Sequence, residues 1–197
     1  MKRLSLAAII GLSVFTLQSC ADNSSDPVKS ANETNHVKLD SAKHDTIGTA
    51  ATPVSEDDAK FAVKAASGGM MEVQLGELAQ QKAHSQRVKD FGAMMVRDHS
   101  KANDELKSLS GMKSITLPPA PGEDHMKHIR DLSKKSGKEF DKDYMKMMVD
   151  DHKEDIHDFK KAAKDGKDSD VKGFAAKTVP VLLTHLDSAK AVLSSLK

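Results

Sequence analysis

The sequence predicts an all-α fold, in which four long helices enclose one core and a long crossover carries a short extra helix. Three observations predict it. Apolar residues recur at alternating spacings of three and four along four separate stretches, the period of a helix with one buried face. Aromatic residues make up 4% of the chain, with no tryptophan, whereas Ala, Leu, Met and Lys abound, which suits aliphatic helix packing and starves a β-sandwich. The part that carries the stripes is about 140 residues long, enough for one domain with one core.

In chain order, residues 1–19 read as a secretory signal. Met1, Lys2 and Arg3 give a basic start, and an almost uncharged apolar run follows over 4–17. That run is shorter than the roughly twenty residues a membrane span needs. It ends in Leu17-Gln18-Ser19-Cys20, which resembles a lipobox, so Cys20, the only cysteine, is expected to carry a lipid and anchor the protein to a membrane. A lone thiol in an exported chain otherwise lacks an explanation. Residues 20–55 are polar, rich in Asn, Ser, Thr and Asp, and are expected to form a disordered tether. Residues 56–197 are the bundle.

Ser55 followed by Glu56-Asp57-Asp58 marks the start of the first long helix, with Phe61, Ala65, Gly68, Glu72, Leu75 and Ala79 on its inner stripe. Ser85 is expected to cap the second, whose stripe is Val88, Gly92, Met95, His99, Ala102, Leu106 and Leu109. Leu117-Pro118-Pro119-Ala120-Pro121-Gly122 breaks the pattern, and a short helix over about 123–135 follows. The third long helix, about 138–164, carries Met145, Met148, His152, Asp155, Phe159 and Ala162. Asp165-Gly166 should stop it with a left-handed glycine. The fourth, about 169–196, carries Val171, Phe174, Thr178, Val181, His185, Ala189, Val192 and Leu196, with Pro180 expected to bend it. Two tight hairpins joined by one long connection is the ferritin-like plan. The connection can run back along the bundle and leave the second and third long helices parallel.

Each stripe is interrupted by a residue that can coordinate a metal: Glu72, His99, His152 with Asp155, and His185. Counted from the turns at 1.5 Å per residue, Glu72, His99 and His152 lie within about one helical turn of each other in height, with His185 slightly off level. Burying such groups unpaired costs several kcal/mol. Two arrangements remove the cost. Imidazoles and carboxylates can converge on a divalent metal such as Fe, Mn or Zn, or Glu72 and Asp155 can accept hydrogen bonds from the histidines in a metal-free network. An internal echo, MMVRDH over 94–99 and MMVDDH over 147–152, sets Asp98 and Asp151 beside the two histidines, where they can orient neighbouring groups or face solvent.

Other motifs are weaker. Glu154-x-x-His157 has the spelling of a di-iron motif but points away from the stripe, His125-x-x-His128 sits on the crossover, and only one methionine of each pair, 70–71, 94–95 and 147–148, can face inward. No phosphate loop or nucleophile constellation is legible, so no catalytic residue is assigned. A net charge of +1 from 30 basic and 29 acidic side chains gives no field for nucleic acid.

At 61–76 (FAVKAASGGMMEVQLG), 91–106 (FGAMMVRDHSKANDEL), 115–118 (ITLP), 144–152 (YMKMMVDDH) and 174–185 (FAAKTVPVLLTH) the chain resembles the family of domain of unknown function 4142, exported bacterial proteins grouped with ferritin-like bundles. The resemblance covers about 57–196. It implies the fold and no activity. The inward faces of the second and fourth long helices lack the carboxylates of paired Glu-x-x-His motifs, which speaks against ferroxidase chemistry. Two function classes follow: a metal-binding or stress-related lipoprotein of the cell envelope, at the outer membrane facing the periplasm or at the cell surface, or an envelope interaction module whose polar core residues only specify packing.

Overall fold

The computed structural model describes residues 26–44 and 54–196. Six helices follow in order: α1 (Pro27–His44), α2 (Glu56–Lys82), α3 (Gln86–Met112), α4 (Glu123–Ser133), α5 (Gly137–Asp165) and α6 (Ser169–Ser195). The signal segment and Cys20 lie outside the described residues. Among those described, no helix is long and apolar enough to cross a membrane.

The four long helices form two hairpins, α2 with α3 and α5 with α6. Cross-hairpin pairs fix their directions. Lys64 early in α2 binds Glu154 and Asp158 late in α5 at 2.6 and 2.7 Å, so these two helices are antiparallel. Lys113, just past α3, binds Asp168, just before α6, at 2.7 Å, while Lys177 in α6 pairs with Glu105 in α3, so this pair is antiparallel too. Consequently α3 and α5 run parallel, and the crossover over 113–136, with α4 inside it, travels the length of the bundle. This is the one-crossover plan.

Two buried aspartates lock the hairpins together. Asp58, in the first turn of α2, accepts from the backbone N–H of Lys167 and Asp168 at the α5–α6 turn (3.1 and 2.9 Å). Asp141, near the start of α5, accepts from His84 and Ser85 at the α2–α3 turn (2.9 and 2.8 Å). Each carboxylate thereby satisfies helix-terminal donors of the other hairpin. Ser85 precedes α3 without capping it through its side chain; the N–H groups of Val88 and Lys89 turn to its backbone carbonyl at 3.1 Å. At Ser55 the local cap does form, with Asp58 N–H donating to Oγ at 3.1 Å.

Three further expectations are corrected. Gly166 has φ −53°, so it is not left-handed. A Cβ there would lie 2.6 Å from the Ala162 carbonyl and 2.9 Å from Asp58 Oδ1, and close approach is what requires glycine. On α6, Leu182 and not Val181 takes the inner position: Leu182 is buried and Val181 is 40% exposed. Finally, part of the expected tether over 20–55 is α1. Asp26 caps it through Val28 N–H (2.8 Å) and Lys29 N–H (3.1 Å), and Pro27 takes the first helical position, where a missing N–H costs nothing. Ala31 and Asn35 are buried one turn apart. The Asn35 amide accepts from Thr116 N–H at 2.7 Å and donates to Thr116 O at 2.9 Å, tying α1 to the crossover. Docking by Ala and Asn leaves no apolar period, which is why composition suggested disorder.

Helices α2 and α3 approach closely at a glycine pair. A Cβ on Gly92 would lie 2.7 Å from the Gly76 carbonyl, and one on Gly76 would lie 2.6 Å from the Gly92 carbonyl. Gly76 is one turn past Glu72, and Gly92 is two turns before His99. This crossing sets the spacing between those two side chains.

Candidate metal centre

Glu72 on α2, His99 on α3, His152 on α5 and His185 on α6 meet inside the bundle, with exposures of 1%, 6%, 0% and 1%. The imidazole centroids of His99, His152 and His185 lie 5.2–5.8 Å apart. One nitrogen from each of the three lies within 4.8 Å of the other two.

The outer partner of each ring decides what its inner nitrogen offers. His152 Nδ1 lies 3.0 Å from the Met148 carbonyl. A carbonyl only accepts, so Nδ1 carries the hydrogen and Nε2 keeps a lone pair. His185 Nε2 lies 3.0 Å from Asp98 Oδ2. Asp98 is held ionised by Arg97, which donates to both of its oxygens at 2.8 and 2.9 Å and lowers its pKa, so His185 donates Nε2–H and keeps its lone pair on Nδ1. His99 Nδ1 lies 2.7 Å from Glu72 Oε2. With Glu72 ionised, His99 donates there, and its Nε2 is left buried without a hydrogen-bond partner.

The inner atoms that these contacts fix are His152 Nε2, His185 Nδ1 and Glu72 Oε1, the last buried without a hydrogen-bond partner. His152 Nε2 lies 3.3 Å from His185 Nδ1 and 3.4 Å from Glu72 Oε1. With Glu72 ionised, three acceptors face one another there. Two ligands held at 2.0–2.1 Å by one tetrahedral ion lie about 3.3–3.4 Å apart, the spacing seen. Burial also keeps the imidazoles neutral, as ligands must be: it lowers the pKa of His99 to about 4 and of His152 to about 3, and that of His185 falls by the same cause. Burial pushes the Glu72 carboxyl well above the usual range, and a cation beside it would favour its ionised form.

The remaining candidates are placed as follows. Asp151 comes within 4.8 Å of Glu72 and His152, and burial together with the Glu72 charge raises its pKa to about 8. Asp155, expected among the ligands, does not join the convergence. One turn further along α5, it lines a cavity of about 20 Å³ beside Glu72 and His99. Glu154 and His157 are exposed, and Glu154 binds Lys64. His125 Nδ1 lies 2.6 Å from Ser67 Oγ, which also accepts from Gly122 N–H at 2.9 Å, fastening α4 to α2. Met71, Met95 and Met148 are fully buried core residues.

Sequence reasoning missed Tyr144, Arg97 and the Met148 carbonyl. Tyr144 is fully buried two turns before His152, stacked on Phe140, with its hydroxyl unpartnered and its pKa raised by burial and by the charges of Glu72 and Asp151. Its place one position before Met145 on the inner face was the available signal. A backbone carbonyl leaves none.

The chain matches the family described as Domain of unknown function (DUF4142) over residues 44–192. No curated protein matches it. Among solved structures, it is similar to the crystal structure of a DUF305 fragment from Deinococcus radiodurans, with a TM-score of 0.64 and 12% identity, over 74% of this chain and 100% of that one. At that identity the likeness is one of fold.

Proposed function

This chain belongs to the Domain of unknown function (DUF4142) family, and we propose that its bundle holds one divalent transition ion between Glu72, His99, His152 and His185. The observation that carries the reading is the facing of His152 Nε2, His185 Nδ1 and Glu72 Oε1 at 3.3 and 3.4 Å, with the other nitrogens of His152 and His185 already engaged outward. Three neutral imidazoles and one carboxylate suit Zn, and with added water Fe or Mn. The outward partners, Met148 O on His152 and Asp98 on His185, hold tautomer and ring plane as the outer shell of a metal site does. The binding would take place at the cell envelope, on a protein anchored through a lipid on Cys20; the layout of residues 1–20 supports this.

A metal-free network is the second reading, favoured by one observation: a protonated Glu72 can donate from Oε1 to His152 Nε2 across 3.4 Å. Elemental analysis of the purified chain, followed by thermal melts with and without chelator, separates the two. Metal holding predicts near-unit stoichiometry and a melting temperature that falls on stripping and recovers with one divalent ion, since an ion at a hundred times its Kd stabilises by about 2.7 kcal/mol. No bound ion and an unchanged melt would leave the network.

A further inference from the structure

We propose that the cleft between α1, α2, α4 and α5 is the port through which a hydrated divalent cation reaches the buried centre, and that Asp155 passes it inward. This rests on the metal-holding reading.

Two cavities carry the argument. The outer one, of about 430 Å³, opens between the helices and is lined by Glu123, Asp124, Asp151, Glu154 and Asp155 among others. The inner one, of about 20 Å³, is bounded by Glu72, His99, Asn103, Asp155 and Thr178 among apolar residues. About 10–15 Å³ admits one water-sized sphere, so the inner cavity has room for a single small species. Asp155 is the residue common to both cavities. Asp151, on the cleft floor, has a buried Oδ2 without a hydrogen-bond partner and comes within 4.8 Å of Glu72 and His152. At the far end, Glu72 Oε1 is buried and unpartnered. Carboxylate oxygens therefore succeed one another from the mouth to the ligands.

The cations of the cleft do not block that line. Lys64 is drawn to the wall by Glu154 and Asp158 at 2.6 and 2.7 Å, and His125 is tied to Ser67; Lys29 and His128 also line the cleft, against six carboxyl side chains, Asp26, Glu123, Asp124, Asp151, Glu154 and Asp155. A cleft with low-dielectric walls and an excess of one charge sign concentrates the opposite ion and raises its association rate. A carboxylate at the neck can replace waters that the ion must shed before it enters so small a cavity.

The test is stopped-flow loading of Zn2+ into the stripped full chain, with affinity measured against a competing chelator. Asp155→Asn should slow loading and release alike by about tenfold, leave Kd within about threefold, and flatten the salt dependence of loading. Asp124→Asn, at the exposed rim, should slow loading about two- to fivefold and carries the test if Asp155→Asn fails to fold. Asp150→Asn, on an exposed face outside the cleft, should load like wild type. Wild-type loading rates in both Asp155→Asn and Asp124→Asn would overturn the port, as would a loss of affinity in Asp155→Asn at an unchanged loading rate, which would make Asp155 a ligand. A wild-type chain that takes up no Zn2+ would remove the metal reading itself, and the port with it. That outcome is distinct from full uptake at variant-independent rates.

Discussion

Asp98→Asn separates metal holding from simple core packing. Asp98 touches no inner atom. It accepts Nε2–H of His185 at 3.0 Å and is itself gripped by Arg97 at 2.8 and 2.9 Å. Asparagine preserves the shape and removes the charge. If its NH2 turns toward His185, the ring must carry its hydrogen on Nδ1, and the lone pair that faces His152 is lost. Removing such an orienting partner costs about 10–100-fold in metal affinity, or about 1.4–2.8 kcal/mol. The cost to the metal-free fold should be smaller, because the side chains of Asp98 and Arg97 are 25% and 70% exposed and such surface pairs contribute about 0–1 kcal/mol. Calorimetric titration with Zn2+ gives the first quantity, and urea unfolding of the stripped protein gives the second. Wild-type affinity in the variant, or a loss of metal-free stability as large as the loss in binding, would refute the assignment of Asp98 as the group that orients His185.

The centre should release about one proton per ion loaded near pH 7, since burial raises the pKa of Glu72 while it lowers those of His99 and His152 to about 4 and 3; calorimetry in buffers of different ionisation enthalpy measures it, and release of three would mean charged histidines. In the stripped chain, Asp151 has a folded pKa of about 8 against an ordinary 3.8, so the stability it adds is complete below 3.8 and lost as pH rises through 8. The histidines act oppositely and only below about 6.5, so stability should decline from about pH 6.5 to 8, less steeply in Asp151→Asn, as followed by urea midpoints. Gly92→Val should destabilise the fold and weaken ion binding together, because overpacking costs about 1–3 kcal/mol against a helix-propensity gain of about 0.4 kcal/mol; a neutral melt would refute the close crossing. Cys20→Ala should abolish fatty-acid labelling and detergent-phase partitioning, and unchanged partitioning would refute the anchor.

The four stripes were legible because a 3.6-residue period needs only the pattern of apolar side chains, and the same period places Glu72, His99, His152 and His185 inward. The partners of those residues were not legible. Asp98 precedes His99 in sequence yet serves His185 on α6, since one step along a helix turns the side chain by 100° toward a different neighbour. Ser85 looked like a cap, but its side chain makes no cap bond, and its own N–H is held by Asp141, over fifty residues away. Asp155 shares the stripe of His152 and lies one turn above it, a height difference that a face-by-face reading does not resolve. Helix α1 stayed hidden because it docks through an amide and an alanine, although Asp26-Pro27 already carried a helix-start signal.

The early start of α1 shortens the leash. A tether of thirty-five free residues would let the domain tumble well clear of a lipid surface. With Asp26 fastened to Glu123 N–H at 2.8 Å, six chain steps separate it from Cys20, at most about 20 Å of chain. Asp26 also lines the outer cleft. Anchorage at Cys20 would therefore leave the domain little freedom to turn over, and would keep the mouth of that cleft on the side nearest the headgroups. Ions accumulated at an anionic bilayer surface would then lie within a few nanometres of the carboxylates that receive them.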